Sequence, residues 1–158
     1  MSAPIVEQIA AEMKATLEGI TAAAGFALDV AEVIRPVRTG VALAPANYAI
    51  ILLAGQEEAH EAVDLMGNPP ARGWRQQFGL DLCLRVSESD RTPVDTLANL
   101  FAAEVETALM ADRSRGGLAI DTIRRGRDFL PPGDDYEGVT LFFDVIYRVA
   151  ENDPYTRI

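Results

Sequence analysis

The only histidine of the chain lies in an acidic segment whose residue types are those of a metal site. In QEEAHEAVD, three carboxylates surround His60 at spacings that would suit one helical face: Glu57, Glu61 and Asp64. Imidazole and carboxylate groups both ligate divalent metals, so the segment could support a small metal-dependent enzyme. Zinc sites rarely depend on one histidine among carboxylates, and a solvated acidic turn explains the same residues. The metal-dependent enzyme is therefore an alternative hypothesis, and we predict no metal or other cofactor.

The other residues with reactive side chains are not arranged for catalysis. Cys83 shares the polar side of a predicted strand with Asp81 and Arg85, and no second histidine is available to activate its thiol. The glycine pair in RSRGGL lacks the lysine and the spacing of a phosphate-binding loop. Asp134 and Asp135 stand among prolines and glycines, where turn formation accounts for them. We therefore predict that the protein is not an enzyme.

A group of arginines is the most basic feature of this acidic chain. The formal net charge of −10 disfavours general attraction to nucleic acid or anionic lipid, although it does not exclude a local basic patch. The arginines fit either a solvated helix end and turn or a face for one acidic partner, such as another copy of this chain. Binding of nucleic acid through them is a further hypothesis. Five fall within fifteen residues: Arg113, Arg115, Arg124, Arg125 and Arg127.

Length and composition indicate a single domain made in the cytosol. A chain of 158 residues can bury roughly 70% of the surface that its unfolded form exposes. The single cysteine cannot form an intrachain disulfide, and the charges among the first twenty residues do not fit a signal peptide. The uncharged stretch from Thr39 to Gln56 is broken by Gly40, Pro45 and Asn47. We interpret it as a loop followed by a buried strand, and predict no membrane partner.

The first half of the chain has the pattern of one helix and three strands. Apolar residues recur every three or four positions from Ile5 to Ile20, which predicts a helix starting near Ser2 and Pro4 and ending near Gly19. GFALDVAEVIRP alternates like a strand, and NYAIILLAG is apolar on both faces, like an interior strand. A Pro/Gly-rich loop spans residues 67 to 73. A strand of about twelve residues follows, with one apolar face: Trp74, Phe78, Leu80, Leu82, Leu84 and Val86.

The second half predicts another helix and two more strands. Thr92, Pro93 and Asp95 predict a helix start of the capping-box type, and the apolar stripe continues to about Met110. Residues 118 to 130 fit a short strand that leads to a turn. The last strand presents one apolar face: Val139, Leu141, Phe143, Val145, Tyr147 and Val149.

These elements predict an α+β fold. The order α-β-β-β-α-β-β, with helices that are apolar on one side, fits a two-layer sandwich. Two main helices then cover one face of a mostly antiparallel or mixed sheet of about five strands. Residues 1–158 form one domain, and residues 151–158 are a C-terminal tail beyond the last core strand.

Three segments carry a family resemblance, in the same order along the chain. They are IVEQIAAEMKATLEGITA, RQQFGLDLCLRVSES with the following TPVDTLANLFAAEVETALMAD, and GVTLFFDVIYRVAENDPYT. With them the chain resembles a tail terminator of long-tailed bacteriophages, the lambda-type minor tail protein U family. The loop from Gly67 to Gly73 departs from that pattern. The closing pattern of the family is matched by five residues: Tyr147, Arg148, Asp153, Pro154 and Tyr155.

The resemblance implies a structural virion protein. Proteins of this kind form a hexameric ring that caps the tail tube, terminates tail polymerisation and joins the tail to the head-side connector. The implied partners are other copies of the chain, the tail tube protein and the connector or stopper protein, with DNA only passing through the lumen. The implied location is the head-proximal end of the virion tail, after synthesis and assembly in the bacterial cytoplasm. Prophages and gene transfer agents use similar parts, and a head-tail stopper or tail completion protein is the nearest alternative.

Contacts in such a ring would have to come from two different patches on each subunit that fit head to tail. The arginines at 113 to 127 are one candidate patch. Tyr155 with Pro154 and Arg157 is another, and this tail either docks on a neighbour or on the tube, or packs on its own domain. Trp74, at the start of the longest strand, is either an interface anchor or part of the core.

Overall fold

The computed structural model describes residues 3–36, 48–85, 91–130 and 137–158. Within them, the chain forms two α-helices, α1 (Ile5–Glu18) and α2 (Val94–Ala111), and six strands. The first three strands precede α2, and the others follow it. The strands are β1 (Glu32–Ile34), β2 (Tyr48–Ala59), β3 (Ala71–Leu84), β4 (Asp121–Phe129), β5 (Glu137–Ala150) and β6 (Asp153–Arg157).

The strands form one mixed sheet, curled as a half-barrel, in the order β1-β2-β3-β5-β4. β1 is parallel to β2, and β2, β3, β5 and β4 pair antiparallel. β6 also pairs antiparallel with β5, off the main path of the sheet. The predicted α+β fold, with two helices and about five strands, is confirmed.

The core lies between the helices and one face of the sheet. β3 and β5 are the two longest strands, and their register brings Phe78 opposite Phe143 and Leu80 opposite Leu141. Because side chains alternate along a strand, the apolar residues of these two strands share one face. The apolar stripes of α1 and α2 pack against that face, with Met13 and Phe101 fully buried. The hydrophobic periods that predicted the strands and helices thus describe one continuous core.

Both helices begin without the side-chain caps that the sequence suggests. The N-caps are Pro4 and Pro93, and neither makes a side-chain hydrogen bond to its helix. The capping box predicted from Thr92 is therefore wrong, and Ser2 lies outside the described residues. Proline fixes the backbone angle φ near the helical value, so the first turn is positioned without a polar cap. At the other end, α1 stops before Gly19, as predicted.

The first predicted strand is much shorter than its alternating pattern. A turn of 3-10 helix, Ala22–Ala24, ends at Gly25 with φ +95°, and regular pairing begins only at β1. Leu28 and Val30 are nevertheless buried in the core. Their alternation comes from an extended loop that packs over the core, because burial of every second side chain needs no neighbouring strand.

Strand β2 continues through residues that the sequence assigned to an acidic turn. Glu57 and Glu58 pair with Gln76 and Arg75 of β3, after a bulge between Ala54 and Glu57. The buried Gln76 amide donates to the Gly55 carbonyl at this bulge, at 3.0 Å. β3 in turn begins at Ala71, inside the predicted loop of residues 67 to 73. Pairing between the two strands supplies backbone hydrogen bonds that a polar composition does not reveal.

The predicted C-terminal tail is largely the strand β6. Asn152, with φ +68°, turns the chain back after β5, and Val149 and Ala150 then face Arg157 and Asp153. The side chain of Thr156 and the Tyr155 amide donate to the Asp153 carboxylate, and these hydrogen bonds hold its pKa below the usual value. Tyr155 therefore lies on a strand, which the predicted tail of residues 151–158 did not include.

Several expectations fall on residues outside the described ranges. They are the uncharged stretch up to Asn47, the end of the long strand at Val86, and the turn at Asp134 and Asp135.

Neither of the two described helices is long and apolar enough to span a membrane.

Candidate interaction surfaces

The acidic segment around His60 does not form the helical face on which the metal hypothesis depends. Because Glu57 and Glu58 lie on a strand, they point to opposite sides of the sheet. Glu57 accepts a hydrogen bond from the Tyr147 hydroxyl, whereas Asp64 accepts from Arg72 and from the Gly73 amide. His60 Nδ1 lies 3.1 Å from Nη2 of Arg75. Glu57, His60 and Asp64 thus each have a different partner, and the described residues contain no group of three metal-ligating side chains.

Close packing holds this segment over one end of the sheet. A β-carbon on Gly73 would lie 2.4 Å from both the His60 carbonyl oxygen and Val63 Cγ2. Only glycine allows this approach. Arg148 Nε also donates to the Val63 carbonyl. The segment is therefore a structural turn. Its residues Glu57 and Asp64 bind side chains and backbone of the neighbouring strands β5 and β3.

The arginines at 113 to 127 are divided among several places. Arg113 makes a two-point ion pair with Asp121, with both N–O distances at 2.7 Å. The remaining exposed members line β4. On the side of the sheet that faces α2, Arg124 pairs with Glu106 at 3.0 Å and Arg127 donates to Asn99 at 2.6 Å. On the other sheet face, Arg125 pairs with Asp144 at 2.6 Å. A single basic face made of all five arginines is therefore not formed.

Arg115 is not available to a partner, so the prediction that it is a contact residue is wrong. Its side chain is fully buried behind the C-terminus of α2. The guanidinium donates to the carbonyls of Leu109 and Asp112, and its Nη1 lies 3.3 Å from the carboxylate of Glu12 on α1. Backbone carbonyls at a helix end carry partial negative charge and need donors. Arg115 therefore caps α2 and ties it to α1.

Trp74 lines a cavity of about 290 Å³ at one end of the sheet. Its ring is partly buried and packs against the core, and Tyr147 and Pro154 also line the cavity. Burial, followed by the hydrogen bond to Glu57, raises the pKa of Tyr147. The hydroxyl thus stays protonated as a donor. Trp74 is both a packing residue and part of a concave surface, so the two readings of it are compatible.

The C-terminal candidates lie side by side on β6 and remain accessible. Tyr155 is 48% exposed, and the exposed Pro154 lines the Trp74 cavity. Arg157 is also exposed, and its guanidinium lies beside Gly117. Pairing with β5 fixes the backbone of these residues, which lowers the entropy cost of using them in a contact.

The sheet face opposite the helices has an apolar centre that the sequence indicated only in part. Among the described elements, both helices pack on the other face, and the turn Glu61–Val63 lies over one end only. Register places the exposed Leu53 in the middle of this open face, across from Gly79, with Phe142 next to it. The two-sided apolar pattern of NYAIILLAG was the available signal. The sequence could not show that Gly79 and Phe142 lie beside Leu53, because it does not give the order of the strands.

A polar cavity of about 320 Å³ adjoins this apolar centre. Its floor is Asp144, which is 4% exposed and lies between two arginines. Arg125 Nε is 2.6 Å from its Oδ2, and Arg75 Nε is 3.9 Å away. Arg75 Nε is buried without a hydrogen-bond partner among the described residues. The cavity carries two positive and two negative side chains when Glu58 is included, so it is polar without a net charge.

Cys83 lies on the same sheet face but is buried, and its thiol should be unreactive in the folded protein. Burial, reinforced by the nearby Asp81 carboxylate, raises the pKa of Cys83 to about 12. At pH 8 we expect alkylation at least about 100-fold slower than in urea, because only the thiolate reacts. Labelling with iodoacetamide, followed by mass spectrometry, measures both rates. Equal rates would contradict the buried position.

The raised pKa of Cys83 also sets the sign of a stability change. Because the pKa of Cys83 is higher in the folded protein than in the unfolded chain, its contribution to stability is fully present below about pH 8.5 and is lost as the pH rises towards 12. The free energy of unfolding should therefore fall less over this pH range in Cys83→Ala than in the wild type.

No family model and no curated protein matches this chain.

Proposed function

We propose that this protein is a structural subunit of a phage-type tail, in which copies form a ring that caps the tail tube and ends its polymerisation. The ring would also join the tail to the head-side connector. The chain would thus act by contacts between proteins, with no cofactor and no chemical reaction. Hexameric symmetry, the tube protein and the connector as partners, and the head-proximal end of the tail as location all belong to this proposal.

The open sheet face is the observation that most supports a packing role. The half-barrel sheet has Leu53 and Phe142 at its accessible centre. Burial of this apolar surface against another subunit would stabilise an assembly. Most of the reactive groups in the described residues are occupied in ion pairs and hydrogen bonds within the subunit. Both features suit a subunit that acts by binding other protein subunits.

The segments that resemble tail terminators form the frame of the domain. They correspond to α1, to most of β3, to α2, and to β5 with β6. The Asp-Pro-Tyr motif of the closing segment forms the turn side of β6, where Tyr155 is accessible. The resemblance therefore covers both the core and one candidate contact, which is what a shared assembly role requires.

The proposal is tested by the assembly state and by the position of the ring. Light scattering at rising protein concentration, followed by negative-stain images with tail tubes, should show rings or capped tubes of uniform length. Rings found on the head instead would favour a stopper or completion protein. Tubes that lengthen freely in the presence of the protein, without capped ends, would contradict the proposed function.

Tyr155 should be a contact residue for the tube or for the neighbouring subunit. A rigid, half-exposed tyrosine is a typical binding hot spot, and losing one costs about 2 kcal/mol, or about 30-fold in affinity. Tyr155→Ala should therefore weaken tube capping about 30-fold. Its unfolding curve should stay close to the wild type because the side chain is 48% exposed. Deleting residues 151–158 is a poorer test, because it also removes the pairing of β6 with β5.

The matched control for Tyr155→Ala is Leu100→Ala on the outer side of α2, where the side chain is 39% exposed. This variant removes exposed apolar surface far from β6 in sequence and should cap tubes normally. If both variants cap tubes as well as the wild type does, Tyr155 has no role in assembly.

A further inference from the structure

Two strand edges of the sheet have no strand beside them among the described residues. β1 pairs only with Ala49–Ile51 of β2, so Leu52–Ala59 has a neighbour only on its β3 side. At the other end of the sheet order, β4 pairs with β5 alone. Open edges present unpaired backbone donors and acceptors that can pair with another chain. The two open stretches are similar in length, eight residues on β2 and nine on β4.

The directions of these edges suit a head-to-tail contact between copies. β4 is antiparallel to β5, β5 to β3, and β3 to β2. β4 therefore runs antiparallel to β2. A second copy, related by rotation, can place its β2 beside β4 and continue an antiparallel sheet without reversing any strand. Such a contact uses two different patches and closes into a ring when the rotation closes.

The side chains on the two edges have opposite charges. The centre of β4 carries Arg124, Arg125 and Arg127, whereas the open part of β2 carries Glu57 and Glu58. Asp121 and Asp128 accept from the amides of Thr122 and Phe129 at 2.8 Å, so the stretch best suited to pairing is the arginine-rich one between them.

The charges also match face by face. Arg124 is opposite Phe143 and Glu57 is opposite Gln76, so both lie on the side of the sheet that faces the helices. Arg125 contacts Asp144 and Glu58 is opposite Arg75, so both lie on the open face. Arg124, Arg125 and Glu58 form ion pairs whose side chains are 37% to 49% exposed, apart from the buried Asp144 and the partly buried Arg75. Glu57 instead accepts a hydrogen bond from the Tyr147 hydroxyl. Exposed ion pairs are weak and exchange partners at little cost.

The two bulges fix the register. β2 has one extra residue between Ala54 and Glu57, and β4 has one between Arg124 and Gly126. In an antiparallel pair with Arg124 opposite Glu57 of the neighbour, Arg127 lies opposite Ala54 of the neighbour, three residues further along both strands. The bulges then lie side by side, and all side chains keep their faces, which any one-residue slip would reverse.

We propose that β4 of one subunit pairs antiparallel with Leu52–Ala59 of the next subunit, with Arg124 opposite Glu57, so that the ring closes as one continuous sheet. This inference rests on the proposed function, because it specifies the contact by which the ring would form. The occupant of each edge is a second copy of this chain.

Charge reversal on each edge tests the pairing. Arg124→Glu with Arg127→Glu, and separately Glu57→Arg with Glu58→Arg, should each weaken self-association by about 100-fold or more, because like charges then face each other. An equimolar mixture of the two variants should restore a ring of even subunit number, since every contact in an alternating ring is again complementary. One chain carrying all four substitutions should also assemble. Lys14→Glu with Arg35→Glu has the same charge change as the β4 variant and should assemble normally.

A cysteine pair tests the register independently of charge. Opposite residues in an antiparallel pair have Cα atoms about 4.5–5.5 Å apart, which suits a disulfide. In a Cys83→Ala background, Arg127→Cys with Ala54→Cys should form intermolecular disulfides that capture even weak pairing at high concentration. Leu100→Cys with Ala54→Cys should not. Circular dichroism confirms that each variant is folded.

The outcomes separate this inference from the proposed function. Rings that survive both charge reversals and give no Arg127–Ala54 crosslink would overturn the strand pairing and leave the capping role standing. Open fibres instead of rings would also overturn it. If the wild type neither forms rings nor caps tubes, and the Arg127→Cys, Ala54→Cys variant gives no crosslink, both the strand pairing and the proposed function are overturned.

Discussion

Replacing Arg115 by methionine should lower the free energy of unfolding by about 3 kcal/mol. The side chain is fully buried, and its guanidinium serves two carbonyls at the end of α2 and the Glu12 carboxylate of α1. Methionine fills similar volume but donates no hydrogen bond, so the carbonyls of Leu109 and Asp112 would lose their donor. Glu12 keeps some contact with water at 25% exposure, which places the loss at the lower end of the range for broken buried ion pairs.

The measurement is urea and thermal unfolding of Arg115→Met beside Arg113→Met. A loss of about 3 kcal/mol corresponds to a fall in Tm of about 6–12 °C for a domain of this size. Arg113 makes an ion pair of good geometry with Asp121, but it is 53% exposed, so its removal should cost less than about 1 kcal/mol. Similar stability of the two variants would show that Arg115 does not hold the two helices together.

Gly138→Ala should destabilise the fold by about 3 kcal/mol through a clash between backbones. A β-carbon at this position would lie 1.7 Å from the carbonyl oxygen of Leu82 and 2.9 Å from its carbonyl carbon. No rotamer change can relieve the clash, because the atoms belong to the backbone of β3. Gly138 faces Cys83 in the register of β3 and β5, so the strands would have to separate at this end of the central pair.

Gly79→Ala is the matched control for Gly138→Ala. Gly79 lies on β3, on the same sheet face, and the atom nearest to its added β-carbon is Phe142 Cε1 at 3.9 Å, an ordinary contact. Alanine there reduces the freedom of the unfolded chain, which stabilises a protein by about 0.4–1 kcal/mol. The two substitutions should therefore shift Tm in opposite directions. A fall of equal size in both would mean that loss of glycine in a strand, and not the close approach to Leu82, is responsible.

Most of the fold could be predicted from the hydrophobic periods. The alternation in β3 and β5 and the stripes of α1 and α2 are local patterns, and burial on one side produces them directly. The same patterns failed at β1, where a loop with buried Leu28 and Val30 imitates a strand. They also failed at β6, because two backbone pairings with β5 need no apolar alternation.

The candidate site residues were predictable as residue types but not as surfaces. Tyr155 and Trp74 stood out as aromatics at strand boundaries, and both are accessible enough for a role in contacts. The arginines stood out as a group, yet Arg115 is buried and the others pair with residues up to 28 positions away in sequence. Which charges remain available on a surface depends on these distant partners.

By itself, the sequence determined which residues are apolar on one side, where the helices lie, and that a mostly antiparallel or mixed sheet would result. Those features follow from periodicity, which is a property of neighbouring residues. Only the tertiary structure decided the strand order β1-β2-β3-β5-β4, the two open edges and the burial of Arg115. The reason is that strand pairing and ion pairing join residues far apart in the chain, and many pairings satisfy the same local pattern.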